Sequence, residues 1–251
     1  MIHSILIIGQ SNMAGRGRAE EIDPIVNDNV YVMRNGRWRP KYIPVNPDRS
    51  FSGVNLVETF ADLYAKDHGV QVGVIPCADG GTNLDQWCAG GLLFDHACYM
   101  AELASRTSTI AAVLWHQGEG DCAPERYPHY EKKLTAIFKA FRERLNLHDV
   151  PFLVGGLGDF LKDREVSPSL KNYPHINAAL QAMAQKDAKI GFVSAEGLTD
   201  NGDYLHFNAK SLYEFGARYY AEFVKLEDKN KVFEEKPGMD DATAQNWMEL
   251  L

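Results

Sequence analysis

Ser11 stands just past an apolar run, inside Gly9-Gln10-Ser11-Asn12-Met13-Ala14-Gly15. A serine hydroxyl there can attack an acyl carbon if a base takes its proton. It can equally cap a helical turn. The segment lacks the Gly-Lys-[Ser/Thr] ending of a phosphate-binding loop, and Met13 stands where a G-x-S-x-G elbow needs glycine. Asp203-Tyr204-Leu205-His206 sets a carboxylate three residues ahead of a histidine. On a turn that carboxylate can accept from Nδ1–H and leave Nε2 free as a base, although solvated loops and helix caps use the same spacing. Trp115-His116-Gln117-Gly118-Glu119-Gly120-Asp121 is dense in hydrogen-bonding groups. Read as a metal site, His116, Glu119 and Asp121 lack a second histidine at ligand spacing, so no metal is expected. Asp79-Gly80-Gly81-Thr82-Asn83-Leu84 has glycines that could bring a backbone N–H close to an oxyanion. A hydroxyl, an Asp–His pair, a Gly-Gly amide and a side-chain amide are the parts acyl transfer requires.

These segments need a frame that brings them together. Continuous apolar runs at 4–9, 70–75, 110–115, 151–155 and 190–194 read as buried parallel strands. Helical spacing follows at 55–67, 94–105, 126–146, 173–187 and 209–226; in the third, Tyr130, Leu134, Ile137, Phe141 and Leu145 share one face. Alternating strands and helices predict a doubly wound, three-layer α/β/α sandwich on a five-stranded parallel sheet. Right-handed crossovers then collect the strand C-termini, and the motifs behind them, on one edge. Residues 16–52 lack periodicity and hold Pro24, Pro40, Pro44 and Pro47. They read as a long, functional excursion with a short hairpin over 31–38 turning at Asn35-Gly36.

The blocks Gly9–Met13, Gly80–Asn83, Trp115–Glu119 and Asp203–His206, taken in this order from residue 9 to 206, resemble the sialate O-acetylesterase / acetylxylan esterase domain. That is carbohydrate esterase family six, a branch of the SGNH hydrolases. The resemblance implies a flavodoxin-like α/β/α fold, in agreement with the strand reading, and no cofactor. It implies Ser11 as nucleophile, His206 as base and Asp203 as the residue that orients it. It implies the amides of Ser11 and Gly81 and the Gln117 side chain as oxyanion donors, Gln117 standing where the wider superfamily has asparagine. Gln10, Asn12 and Glu119 take supporting roles. Trp87, just past the glycine block, and Tyr204, between Asp203 and His206, are expected near the pocket as sugar-facing aromatics; Trp87 could instead pack as core.

The 251 residues suit one large domain or two small ones. The division expected is an esterase domain over 1–226 and an acidic tail or strap over 227–251. That tail holds Glu227, Asp228, Glu234, Glu235, Asp240, Asp241 and Glu249 against Lys229, Lys231 and Lys236, half of the net charge of −8. Such a charge argues against a general nucleic-acid binder. The start, Met-Ile-His-Ser, has no basic leader, and its apolar run is too short for a membrane span, so a cytoplasmic protein is expected. Cys77, Cys88, Cys98 and Cys122 form no CxxC pair and read as reduced thiols. The expected activity is a serine esterase taking acetyl groups from a saccharide through an acetyl-enzyme. The alternatives are an esterase of lipids or other small acyl esters, and, more distantly, a non-catalytic carbohydrate-binding protein. Homo-oligomerisation is left open.

Overall fold

The computed structural model describes residues 1–234 and 236. Of the tail or strap expected over 227–251, residues 235 and 237–251 lie outside the described residues. Seven strands form one sheet: β1 (Ile2–Gly9), β2 (Val30–Arg34), β3 (Arg37–Pro40), β4 (Gln71–Pro76), β5 (Ser108–His116), β6 (Phe152–Gly155) and β7 (Ile190–Val193). Their order is β3-β2-β4-β1-β5-β6-β7, and every neighbouring pair is parallel except β2 with β3.

The expected count of five strands is therefore corrected to seven. The five apolar runs are all strands of this sheet. The other two strands are the hairpin of the excursion, which docks on the sheet edge instead of standing apart. Asn35 and Gly36 turn it at φ of 50° and 75°. Its sheet signal is weak because β2 is only five residues long, burying Val30, Val32 and Met33, and β3 contributes little beyond Trp38. Gly73 makes room for that tryptophan: a Cβ there would lie 2.5 Å from the Trp38 ring.

Helices α1 (Ser11–Ala14), α2 (Val57–His68), α3 (Leu92–Ala104), α4 (Tyr130–Leu145), α5 (Tyr173–Lys186) and α6 (Ala209–Leu226) complete the chain. Apart from the single turn α1, they match the five helical patterns. α2 packs with α6 on one face, and α3, α4 and α5 line up on the other. Leu212, Phe215, Tyr219 and Phe223 form the buried stripe of α6, and Asn208 caps its start by accepting from the Ser211 N–H. All eight residues of β1 are buried, as a central strand covered on both faces requires. Among the described residues no helix is long and apolar enough to cross a membrane.

The strand order reverses at β1: β4 lies on one side of it and β5 on the other. Segments leaving β4, β1 and β5 therefore meet at one edge, on either side of this switch point. Gly9 closes β1 at φ 133°, and a Cβ there would lie 2.1 Å from the His116 carbonyl oxygen. Gly9→Ala should thus cost on the order of 2 kcal/mol or more in stability. It should also displace Ser11, so thermal melting and ester hydrolysis should both fall. A variant with a wild-type melting temperature would contradict this close approach.

Candidate active site

β1 ends at Gly9, Gln10 is extended, and Ser11 opens the single turn of α1. The Gln10 N–H donates to the His116 carbonyl at 2.9 Å and the Asp79 N–H to the Gly9 carbonyl at 3.0 Å, so the segments after β5 and β4 are stitched to this turn. The Met13 and Ala14 N–H groups both donate to the Gln10 carbonyl. As the first residue of the turn, Ser11 has an N–H without a helical acceptor. Among the described residues neither it nor the Gly81 N–H donates to a protein acceptor.

His206 reaches Ser11 from the loop before α6. Its Nε2 lies 3.1 Å from Ser11 Oγ, and its Nδ1 lies 2.6 Å from Asp203 Oδ2. The other Asp203 oxygen accepts from the Leu205 and His206 N–H groups at 2.9 and 2.8 Å. Tyr204 makes this tight turn possible at φ 55°, with its N–H held by Asp200 at 2.6 Å. Burial pushes the Asp203 carboxyl up, but bonds from the His206 ring and the two backbone N–H groups outweigh it and bring it down to about 2. Asp203 is thus a carboxylate that fixes the Nδ1–H tautomer and leaves Nε2 facing the hydroxyl. Such a chain can pass a proton from serine to imidazole while the serine attacks a carbonyl.

Asn12 ties these parts together. Its Oδ1 accepts from the Phe207 N–H at 3.1 Å, and its Nδ2 donates to the Leu205 carbonyl at 3.0 Å and to Glu119 Oε1 at 2.6 Å. Gln10 Oε1 accepts from the Gly118 and Gly120 N–H groups at 3.5 and 3.3 Å. Gln10, Asn12 and Glu119 therefore all lie where they can brace the turn. His116 is fully buried, with Nε2 3.2 Å from the Gly156 carbonyl, so that nitrogen carries the proton. Burial drives the His116 pKa down and keeps the ring neutral. Among the described residues no three His, Cys, Asp or Glu side chains converge as metal ligands. The four cysteines are free, and Cys88 alone is exposed.

Two sequence expectations are corrected. Gln117 is fully buried, and its amide nitrogen donates to the Thr82 carbonyl at 3.2 Å and to Asp121 Oδ2 at 2.7 Å. Both amide protons are spent, leaving none for an oxyanion. Gln117 instead fastens the glycine loop to the turn after β5. Trp87 is also fully buried. Its Nε1 donates to Thr82 Oγ1 at 3.0 Å and its ring sits edge-on to Trp115, so it underlies the glycine loop and does not face a sugar. Tyr204 is 49% exposed and, with Asp203, borders a cleft of about 680 Å³ whose other wall is residues 162–166. Arg164 from that wall donates to the Asp203 carbonyl.

The family model for carbohydrate esterases of the sialic acid-specific acetylesterase type matches residues 2–225. The chain belongs to this family of carboxylic ester hydrolases. A probable carbohydrate esterase of Arabidopsis thaliana is 25% identical over 240 residues, which cover 84% of this chain and 86% of that protein. Its solved structure superposes with a TM-score of 0.74 at 24% identity, over 89% of this chain and 98% of that one. NanS gives a TM-score of 0.72 at 16% identity, over 89% and 97%. A carbohydrate acetylesterase from Xanthomonas citri gives 0.62 at 16%, over 87% of this chain and 55% of that one. These superpositions carry the fold, and the family match carries the enzyme class.

Three charged residues of the excursion escaped the sequence reading. Arg16 grips Asp48 with both terminal nitrogens, at 2.9 and 2.7 Å, and the pair is buried. Burial raises the Asp48 carboxyl, but bonds from Arg16, Ser52 and the Gly80 N–H bring it below the usual carboxylate range. The Gly80 N–H donates to Asp48 Oδ2 at 2.8 Å, and Arg49 donates to the Gly80 carbonyl at 3.0 Å. A Cβ on Gly80 would sit 3.4 Å from Ser11 Cβ, so this loop lies directly against the serine. The length of the excursion and its position right after the serine block were the available signals.

With Trp87 in the core, Trp87→Ala should lower stability by about 3–5 kcal/mol. Urea unfolding of the variant would reveal this loss. An unchanged midpoint together with a raised KM for a saccharide ester would restore the sugar-facing role.

Proposed function

We propose that the chain is a serine esterase that removes O-acetyl groups from a carbohydrate. The observation that carries this reading is the continuous Ser11–His206–Asp203 hydrogen-bonded chain in a member of a carbohydrate esterase family. His206 Nε2 takes the proton as Ser11 Oγ adds to the acetyl carbonyl. The negative oxygen that develops is met by the Ser11 and Gly81 N–H groups, each worth about 3 kcal/mol in the transition state. The imidazolium then gives its proton to the departing sugar oxygen, leaving an acetyl-enzyme. Water activated by the same His206 releases acetate and restores the serine. The acyl group is an acetyl, in keeping with the acetylesterase names of the family and of the solved relatives. Tyr204, exposed at the cleft beside Asp203, offers a ring face to the saccharide. The saccharide is of the acetylated xylo-oligosaccharide or O-acetylated sialic acid kind.

The test measures acetate release from 4-nitrophenyl acetate, acetylated xylo-oligosaccharides and O-acetylated sialic acid, with 4-nitrophenyl octanoate as the long-chain control. Acetyl esters should react much faster than octanoyl esters. Ser11→Ala should keep its fold, lose at least about a thousandfold in kcat and escape labelling by a serine-directed phosphonate. Labelling of another serine, or a Ser11→Ala rate near wild type, defeats the mechanism. A preference for octanoate transfers the enzyme to lipid esters.

The pH dependence follows from Asp203. Its carboxyl is depressed from 3.8 to about 2, so its stabilising bonds are fully present above the ordinary carboxylate value and are lost as pH falls toward 2. Above about pH 4 Asp203 contributes no proton to the acid limb of kcat/KM. That limb should have unit slope, with no second proton from Asp203. Asp203→Asn should lower kcat steeply, because the imidazole loses both its tautomer control and its counter-charge. A slope of two above pH 4, or normal kinetics in Asp203→Asn, would break the assignment.

A further inference from the structure

The excursion after Ser11 reaches the reacting centre through one peptide group. Gly80 carries a hydrogen bond at both ends: its N–H donates to Asp48, and its carbonyl accepts from Arg49 Nη2. Arg49 is itself anchored, since its Nη1 donates to the Asp48 carbonyl and to Asp79 Oδ1, each at 2.8 Å. Asp48 in turn is locked by the buried Arg16. The Gly80–Gly81 peptide is trans, the one cis bond among the described residues being Ile43–Pro44. In a planar trans peptide the carbonyl and the following N–H point in opposite directions. Whatever holds the Gly80 carbonyl therefore also aims the Gly81 N–H.

Gly81 itself cannot supply that aim. It sits at φ 78° with nothing within 4 Å of a Cβ position, and the bonds that hold the loop from its other side all fall on Thr82. The geometry points to Arg49 as the positioning residue of this site, orienting and polarising the Gly81 N–H through the shared Gly80–Gly81 peptide. A cation on the carbonyl draws electron density along the amide and makes its N–H a stronger donor. The arrangement is a guanidinium–carbonyl–amide relay ending on the oxygen that becomes negative. The partners of the Arg49 guanidinium are Asp48, Asp79 and Gly80, so it acts on the reacting centre only through the peptide. This inference rests on the serine esterase reading above and deepens it.

The experiment compares Arg49→Gln, Arg49→Lys and the wild type on 4-nitrophenyl acetate, with kcat referred to active sites titrated by phosphonate. It also measures inhibition by a small alkylboronic acid, which adds to serine as a tetrahedral anion with an oxygen in the oxyanion position. Arg49→Gln should lower kcat about tenfold with KM within about twofold, and should weaken the boronate by a similar factor. Arg49→Lys, whose ammonium can still reach the Gly80 carbonyl, should recover much of both. Should Arg49→Gln fail to fold, Asp79→Asn, which removes the other anchor of Arg49, should move kcat and boronate inhibition the same way by a smaller factor. Unchanged kcat and boronate inhibition would overturn the relay. So would a loss of kcat with boronate inhibition intact, or an effect on KM alone. Ser11→Ala run in parallel separates the two claims. If it is inactive while Arg49→Gln is normal, only the relay fails; if it hydrolyses ester normally, the serine mechanism fails and takes the relay with it.

Discussion

The side chain of Asn12 is the fastener on which this site depends. Ser11 and His206 stand 195 residues apart, and their contact survives only if the loop before α6 is pinned to the turn after β1. Asn12 does this with one buried amide, accepting from Phe207, donating to Leu205 and spending its second proton on Glu119. It thereby grips the chain on both sides of His206. A backbone carbonyl and N–H are held in register as in a strand ladder, but by a side chain, and in a dry environment where such bonds are expensive to lose.

Around that fastener the polar groups are arranged to restrain loops instead of facing a substrate. Gln117 joins the glycine loop to the turn after β5, Gln10 reaches the same turn, and Asp121 takes the Leu84 N–H at 3.0 Å. Each bond joins two segments that leave different strands at the switch of the sheet. The Ser11 hydroxyl, the His206 ring and the Ser11 and Gly81 N–H groups sit within this larger scaffold.

The central sheet was legible because buried parallel strands are written as unbroken apolar runs, and residues 4–9 and 110–115 carry that signal without ambiguity. The hairpin at the sheet edge was legible as a turn, through Asn35-Gly36, but not as part of the sheet, since its pairing partner β4 lies some forty residues on and leaves no local trace. That Ser11, Asp203 and His206 come together could be anticipated because a serine just past a strand and an Asp-x-x-His turn before a helix are local signals. The sequence expectation sets Gln117 at the oxyanion and leaves Trp87 between cleft and core. An amide or an indole beside a site looks the same in sequence whether it turns toward the cleft or into the core, and only packing decides. Arg16, Asp48 and Arg49 were hidden for a related reason: a salt-bridged clamp has no periodicity, and its members lie 32 residues apart.

The separation of Ser11 from His206 has a consequence for how the protein comes into being. During synthesis the serine emerges before β4 and β5, the neighbours that the strand behind it needs. The histidine follows 195 residues after the serine, on a loop whose position depends on α6 docking against α2. A growing chain on the ribosome therefore holds an uncharged, unassisted hydroxyl until α6 has cleared the exit tunnel. The contact between the two residues would thus appear in a single step, when α6 closes on the sandwich.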